Sequence, residues 1–266
     1  MQPKPKKEHV GDNNKAERPM MDDSAENMMS CRNEANCDQS SRKIQVIEVA
    51  VFLFFIVPSM STSFLIGNTS GSNSGSGFLT VAILSILYDL GMVSLVFYFI
   101  WRNGETLRRI GWTLKNLPRE VGWGLVLFFP IFYSVNRLES ALHSAGLSAP
   151  AKVPSFLVAT GHFRLALAVI LVIVIAIVEE TVFRGYLILR LKTATRRAWA
   201  AVLLSSVVFS IGHGYEGMAG VISVFCLGVV FGVVYLWRKS LIAPIIIHFL
   251  IDFSGIVMTV LLWAKR

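Results

Sequence analysis

The chain has 266 residues, of which 54% are hydrophobic and 16% are charged, and its mean hydropathy is +0.59. A soluble domain typically has about 25% charged residues, so these totals exclude an ordinary soluble protein and favour a membrane protein. The net charge of +8 arises entirely after residue 43, where basic residues cluster between apolar runs. Such clusters suit loops beside anionic lipid and disfavour nucleic acid as a partner.

Residues 1–43 are polar and almost free of large aliphatic side chains. A segment of this composition buries too little apolar surface to offset its chain entropy. We therefore predict a disordered tail at residues 1–43 and a membrane-embedded domain at residues 44–266. No apolar region begins close to Met1, as a cleavable signal peptide would require.

Seven apolar runs follow the tail. They cover residues 44–66, 78–101, 121–141, 164–189, 198–214, 218–236 and 241–263. About 20 apolar residues are needed for a helix to cross the bilayer, so we predict an all-α, polytopic bundle of about seven or eight transmembrane helices. An eighth crossing or a re-entrant segment would fall around residues 142–163. Within the sixth run, Gly228-x-x-x-Gly232 suits close helix packing.

The loops after the second, fourth and sixth runs are rich in arginine and lysine. Positive residues mark cytoplasmic loops, so the chain is predicted to be a multi-pass protein with a cytoplasmic N-terminus. The membrane-embedded domain is then expected to be surrounded by the lipid bilayer.

Ionisable side chains interrupt three of the apolar runs. They are Glu179, Glu180 and Arg184 in the fourth run, His213 in the fifth, and His248 and Asp252 in the last. A charge at mid-membrane costs roughly 2.5–3.5 kcal/mol on insertion scales, and such residues usually face a polar interior and have a functional role. Glu48 and Asp89 in the first two runs rank lower, because they can pair with loop cations or face the polar interior.

The spacing of these residues indicates which side chains share a helix face. Glu180 and Arg184 are four residues apart and can form an ion pair, whereas Glu179 is rotated by about 100° and stays available as a base. A pair that merely orders the bundle is the alternative, but it leaves a surplus negative charge unexplained. His248 and Asp252 are also one turn apart, which suits orienting an imidazole, binding a metal or holding a reacting oxygen.

Three motifs on three separate runs agree in order and spacing with one protein family. The motifs are Glu179-Glu180-x-x-x-Arg184, Phe209-x-x-x-His213 and His248-x-x-x-Asp252. Over roughly residues 120–260 the chain resembles the CAAX-prenyl-protease and bacteriocin-processing (CPBP, or Abi) family of intramembrane proteases. The resemblance implies a helical bundle that hydrolyses a peptide bond of a membrane-associated protein or peptide, in CAAX-type or bacteriocin-type processing.

The resemblance also implies a role for each motif residue. Glu179 would activate water, with His213 helping to hold that water. Glu180 and Arg184 would support the site. His248 and Asp252 would bind the scissile carbonyl oxygen or a metal.

The cofactor stays open at this point. His213 and His248 could bind a divalent metal such as Zn²⁺, and a metal-independent mechanism fits the motifs equally well. Eukaryotic and archaeal prenyl proteases resemble one another in having asparagine at the position of Asp252. An ionised aspartate cannot donate to an oxyanion, which counts against that role for Asp252 and against a prenylated substrate.

Two other functions compete with the protease. A non-catalytic membrane scaffold or immunity factor could share the fold, although the intact motifs favour an enzyme. A proton-coupled transporter could also use buried carboxylates and histidines, but the inverted repeats and broken helices typical of transporters are not evident in the sequence.

Overall fold

The computed structural model describes residues 23–63, 78–148 and 162–258. All regular secondary structure in these ranges is helical, which confirms the predicted all-α class. The α-helices are α1 (Asp23–Ser61), α2 (Phe78–Arg102), α3 (Leu117–Ser144), α4 (His162–Glu179), α5 (Ile188–Thr195), α6 (Ala198–Ile211), α7 (Gly217–Arg238) and α8 (Ile242–Asp252). Two π-helical segments, Glu180–Leu187 and Phe253–Met258, follow α4 and α8, and 3₁₀ turns occupy Leu107–Ile110 and Gly214–Glu216.

Among the described residues, five helical stretches are long and apolar enough to cross a membrane. They are Arg42–Ser61, Phe78–Arg102, Leu117–Ser144, Phe163–Thr195 and Gly214–Arg238. The fifth and seventh predicted runs correspond to the shorter apolar helices Ala198–Ile211 and Ile242–Gly255. Each predicted run thus has a helical counterpart in the described part of the chain. The protein is an integral membrane protein.

Two predictions about topology stay untested. The eighth crossing or re-entrant segment expected around residues 142–163 falls largely on residues 149–161, which lie outside the described residues. The cytoplasmic location of the N-terminus also stays a prediction.

The chain divides after Lys43 into two units. Helix α1 begins at Asp23, so part of the segment predicted to be a disordered tail has helical backbone. Alanine, glutamate, methionine, arginine, glutamine and lysine together make up ten of the 21 residues 23–43 and are strong helix formers. The disorder of the tail as a whole and its separate role stay predictions.

Glycines bring α6 and α7 into close contact. A Cβ atom added at Gly232 would lie 2.7 Å from Val202 Cγ1, and one at Gly228 would lie 3.0 Å from Ser206 Cβ. Only a residue without a side chain allows this approach. The close packing predicted from the Gly228-x-x-x-Gly232 pattern is therefore present.

The main apolar core surrounds the π-helical segment Glu180–Leu187. All eight residues of this segment are buried. The ring of Tyr186 lies 5.4 Å from that of Phe52 in α1, and the ring of Phe183 lies 5.1 Å from that of Phe209 in α6. The segment that carries the first motif therefore lies in the interior of the bundle.

Candidate active site

The first motif lies where α4 becomes π-helical. Glu179 is the last residue of α4, and Glu180 is the first residue of the π-helical segment. π-helical turns are rare and are found frequently at functional sites. The segment directs Glu180 and Arg184 into the core, where both are buried.

Glu180 links two helices from a fully buried position. Its Oε1 atom lies 2.8 Å from Arg184 Nη1 and accepts a hydrogen bond of 2.8 Å from Nδ1 of His248 in α8. The ion pair predicted from the spacing of Glu180 and Arg184 is therefore present. The bond to His248 joins the first motif to the third, which spacing within one helix cannot reveal.

Aromatic rings surround the guanidinium of Arg184. Its Cζ atom lies 4.2 Å from the centre of the Phe209 ring and 5.0 Å from the centre of the Phe231 ring. A cation over an aromatic face is stabilised by about 2 kcal/mol or more when both are desolvated. These rings, together with Glu180, account for a positive charge inside an apolar core.

The second ring nitrogen of His248 faces two carboxylates. Nε2 lies 3.6 Å from Glu179 Oε2 and 3.5 Å from Asp252 Oδ2. These distances exceed the usual hydrogen-bond range of about 2.7–3.2 Å, so Nε2 is oriented toward both groups without being tightly bound. Glu179 and Asp252 keep 15% and 24% of their side chains exposed, whereas Glu180 is fully enclosed.

His213 joins this cluster through Phe209. It lies in the turn after α6, and its Nδ1 is 3.2 Å from the carbonyl oxygen of Phe209. An Nδ1–H that donates to this oxygen leaves a lone pair on Nε2 in the neutral ring. The Phe209 ring is 5.0 Å from that of His213 and 6.0 Å from that of His248, so it lies beside both histidines.

The structure therefore brings the sequence-predicted residues to one place. The residues in direct polar contact are Glu179, Glu180, Arg184, His248 and Asp252. His213 contacts this group through an aromatic ring rather than through a polar atom. Their catalytic roles stay predictions.

Two further residues lie close to the cluster. Asp89 of α2 is 5% exposed and interacts electrostatically with Glu179 and His248. The ring of Tyr215 is 6.1 Å from that of His213. Like the motif residues, Asp89 is an ionisable residue within an apolar run of the sequence. It has no ionisable partner one helical turn away, so the sequence pattern did not assign it to the site. Tyr215 follows the second motif and gave no such signal.

A second buried ionic cluster lies beyond the π-helical segment. Arg190 of α5 donates two hydrogen bonds to the carboxylate of Glu105, at 2.9 and 2.7 Å. Glu48 of α1 accepts bonds of 3.0 Å from Asn103 and pairs with Arg102 at 3.5 Å. Pairing of Glu48 with a loop cation was one of the predicted alternatives. The cluster fixes the end of the continuous helix that carries the first motif.

The residues of the cluster do not form a recognisable metal centre. Among the described residues, no group of three or more His, Cys, Asp and Glu side chains is arranged to hold a metal ion. Nδ1 of His248 binds Glu180 and Nδ1 of His213 binds the Phe209 carbonyl, so Nε2 of each ring is the nitrogen that could bind a metal. This set differs from the three protein ligands of a catalytic zinc site, and metal binding by His213 and His248 stays a prediction.

Comparison with known proteins identifies the same region. Residues 161–254 match a family model described as type II CAAX prenyl endopeptidase Rce1-like. The matched residues include all three motifs and the whole polar network around Glu180. No curated protein and no solved structure matches the chain. Residues 161–254 of this integral membrane protein are thus similar to the Rce1-like family of CAAX-type endopeptidases, in agreement with the CPBP resemblance of its motifs.

Proposed function

We propose that the chain is a membrane-embedded endopeptidase in which Glu179 activates water to hydrolyse a peptide bond of a membrane-associated protein or peptide. The observation that carries this proposal is the convergence of Glu179 and Asp252 on one nitrogen of His248. A base, a donor and an orienting carboxylate thus lie within one cluster, and the family match supports a protease.

Glu179 is the base. Its Oε2 atom has no hydrogen-bond partner among the described residues, and 15% of the side chain is exposed, so the carboxylate can accept a hydrogen bond from a water molecule. Arg184 is paired with Glu180, which leaves the charge of Glu179 free for proton transfer. General base catalysis of this kind contributes about 10²–10⁴-fold in rate.

The reaction then proceeds through a tetrahedral intermediate. Glu179 takes a proton from water as the water oxygen bonds to the scissile carbonyl carbon. The carbon–nitrogen bond next breaks, and the proton passes from Glu179 to the leaving amine nitrogen. The products are a new carboxyl terminus and a new amino terminus, and Glu179 is again ready to act as a base.

His248 stabilises the negative charge that develops on the carbonyl oxygen. Because Nδ1 donates to Glu180, a protonated ring presents Nε2–H toward the reacting side, where it donates to the oxyanion. Asp252 lies 3.5 Å from Nε2 and balances the charge of this protonated ring. Asp252 thereby contributes without donating a hydrogen bond, which an ionised aspartate cannot do.

His213 holds the attacking water. Its Nδ1 is directed to the Phe209 carbonyl, so Nε2 of the neutral ring accepts a hydrogen bond from water. The Phe209 ring, which is 1% exposed, forms an apolar wall beside the reacting groups. Water is thus oriented between two acceptors, Glu179 and His213.

The test compares protein termini in membranes that contain the wild-type chain, Glu179→Gln or Glu139→Gln at equal expression. Glu139 lies on α3, outside the cluster, and provides the same chemical change as a control. The proposal expects new termini with wild type and Glu139→Gln but not with Glu179→Gln. Identical termini in all three membranes would contradict it. A phenotype that Glu179→Gln still complements would then favour the scaffold or immunity factor.

A further inference from the structure

We propose that the loop between α2 and α3 forms a pocket for the phosphate group of an anionic phospholipid. We further propose that the bound lipid holds the π-helical segment Glu180–Leu187 in its packed position. Neither the motifs nor the protease proposal assigns a function to this loop.

The loop contains a cavity of about 690 Å³. Its lining residues are Arg108, Trp112, Thr113, Leu114 and Lys115. Ligand sites in proteins typically have volumes of about 300–1,000 Å³, so the cavity is large enough for a glycerophosphate headgroup. Two of its five lining side chains are cationic and none is acidic, which selects an anion.

The two cations of the cavity are not committed to protein partners. Arg109 pairs with Glu105 at 2.9 Å, whereas Arg108 and Lys115 form no ion pair in the part of the chain that the structure describes. Both side chains are exposed. Their charges are therefore available to a ligand.

The surroundings of the cavity favour a lipid over a free anion. The loop connects two membrane-spanning helices, and Trp101 at the end of α2 is 77% exposed. Exposed tryptophan is enriched at the level of the lipid headgroups. Leu114 lines the cavity and is 71% exposed, so a ligand there meets an apolar surface as well as two cations. A phospholipid offers both a phosphate and an acyl chain.

The predicted topology places this loop in the cytoplasm, beside the leaflet that carries anionic lipid. Each lysine or arginine near such a surface strengthens binding about fivefold. Two such cations together then strengthen lipid binding about 30-fold.

The cavity is connected directly to the catalytic segment. The indole N–H of Trp112 donates to Thr181 Oγ1 at 3.1 Å. The Ile110 carbonyl lies against Gly185, where an added Cβ would be only 2.8 Å from this oxygen. A ligand that orders the loop therefore stabilises the segment that carries Glu180.

The same loop also contacts α8. The amide of Leu241 donates to the carbonyl oxygen of Gly111 at 3.1 Å. Leu241 immediately precedes the helix that carries His248. Both halves of the Glu180–His248 contact are thus attached to the loop.

Lipid binding is measured on the full chain in micelles that contain phosphatidylglycerol and phosphatidylcholine, by native mass spectrometry. The test variant is Arg108→Gln with Lys115→Gln. The control is Lys192→Gln with Arg196→Asn, which removes the same charge from the exposed C-terminal end of α5 and keeps a residue tolerated at the positive φ of position 196. We expect about 30-fold weaker phosphatidylglycerol binding by the test variant and a clearly smaller loss by the control, whose two cations do not line the cavity.

Two outcomes would overturn the lipid site. Equal loss of binding in both double variants would show that general surface charge, not the cavity, attracts the lipid. Displacement of phosphatidylglycerol by inorganic phosphate at comparable concentration would show that the cavity binds a free anion. Neither measurement depends on protease activity, so the lipid site can fail or stand independently of the proposed function.

The link to the catalytic segment is tested by hydrogen exchange of residues 180–187. Phosphatidylglycerol is expected to slow exchange in the wild-type chain. Trp112→Phe keeps an aromatic ring but removes the N–H group that donates a hydrogen bond to Thr181. This variant should bind the lipid, but the lipid should not slow exchange of residues 180–187. Equal exchange in the wild-type chain with and without phosphatidylglycerol would overturn the link.

Discussion

The Oε1 atom of Glu180 lies 2.8 Å from Nδ1 of His248, although 68 positions separate the two residues in the chain. This contact joins the π-helical segment after α4 to helix α8. Because the same Oε1 atom of Glu180 is also paired with Arg184, the second glutamate of the motif has a structural role. In the proposed mechanism Glu179 is the base.

Arg184→Gln is expected to destabilise the protein by about 3–5 kcal/mol, because it leaves Glu180 buried without its cation. The free energy of unfolding can be measured by denaturant titration in mixed micelles. The double variant Glu180→Gln with Arg184→Gln should lose less stability than the sum of its single variants, since no unpaired charge remains. Simple additivity would show that the two side chains do not interact energetically.

Removal of divalent metal is expected to leave peptide cleavage unchanged. The described residues do not include a three-ligand group for a metal, and the proposed mechanism uses only Glu179, His213 and His248 on water and substrate. The cleavage rate and the metal content per chain should be measured before and after dialysis against a strong chelator. If the cleavage rate fell when the metal was removed and recovered when Zn²⁺ was added, this prediction would be contradicted.

Gly232→Ala is expected to destabilise the bundle by about 1–3 kcal/mol, because overpacking forces neighbouring groups to shift. The added Cβ would lie 2.7 Å from the stiff side chain of Val202. Gly122→Ala in α3 is the control, since nothing lies within 4 Å of a Cβ there, and it should be neutral or stabilising. The melting temperatures of the two variants can be compared by thermal unfolding in detergent. Adding Val202→Ala to Gly232→Ala should restore part of the lost stability. Equal melting temperatures for the two alanine variants would refute the close contact.

Arg190→Met is expected to cost about 3–5 kcal/mol of stability, because it leaves the buried carboxylates of Glu105 and Glu48 without their central cation. Lys192→Met is the control, since Lys192 is exposed on the same helix and surface changes usually stay within about 0.5 kcal/mol. Both variants can be compared by the same denaturant titration. Similar small effects for both would mean that the cluster does not fix this end of the helix.

The sequence predicted the helical bundle well, because hydropathy reports directly on membrane-spanning helices. It also predicted the pair Glu180–Arg184, because residues four apart share a helix face. It could not predict the contacts of Arg190 with Glu105 or of Glu180 with His248, which depend on how separate helices pack. The resemblance to a family assigned His248 and Glu180 to one site, but it did not predict a contact between them.

Helix boundaries and local geometry were also beyond the sequence pattern. The fourth span was expected to end near residue 189 but continues to Thr195, where charged and polar side chains end the apolar run. The π-helical turn after Glu179 leaves no mark in hydropathy. The helical backbone of residues 23–43 agrees with their local helix propensity. The prediction of a disordered tail relied on polar composition and gave this propensity too little weight.

The most direct test of the central claim is the cleavage rate of an identified substrate by the purified chain in lipid vesicles. Wild type, Glu179→Gln and Glu139→Gln are compared at equal amounts of folded protein, with their melting temperatures as a check on folding. We predict that Glu179→Gln cleaves at least about 100-fold more slowly, while Glu139→Gln cleaves at the wild-type rate. Cleavage by folded Glu179→Gln at the wild-type rate would contradict the assignment of Glu179 as the base that activates water.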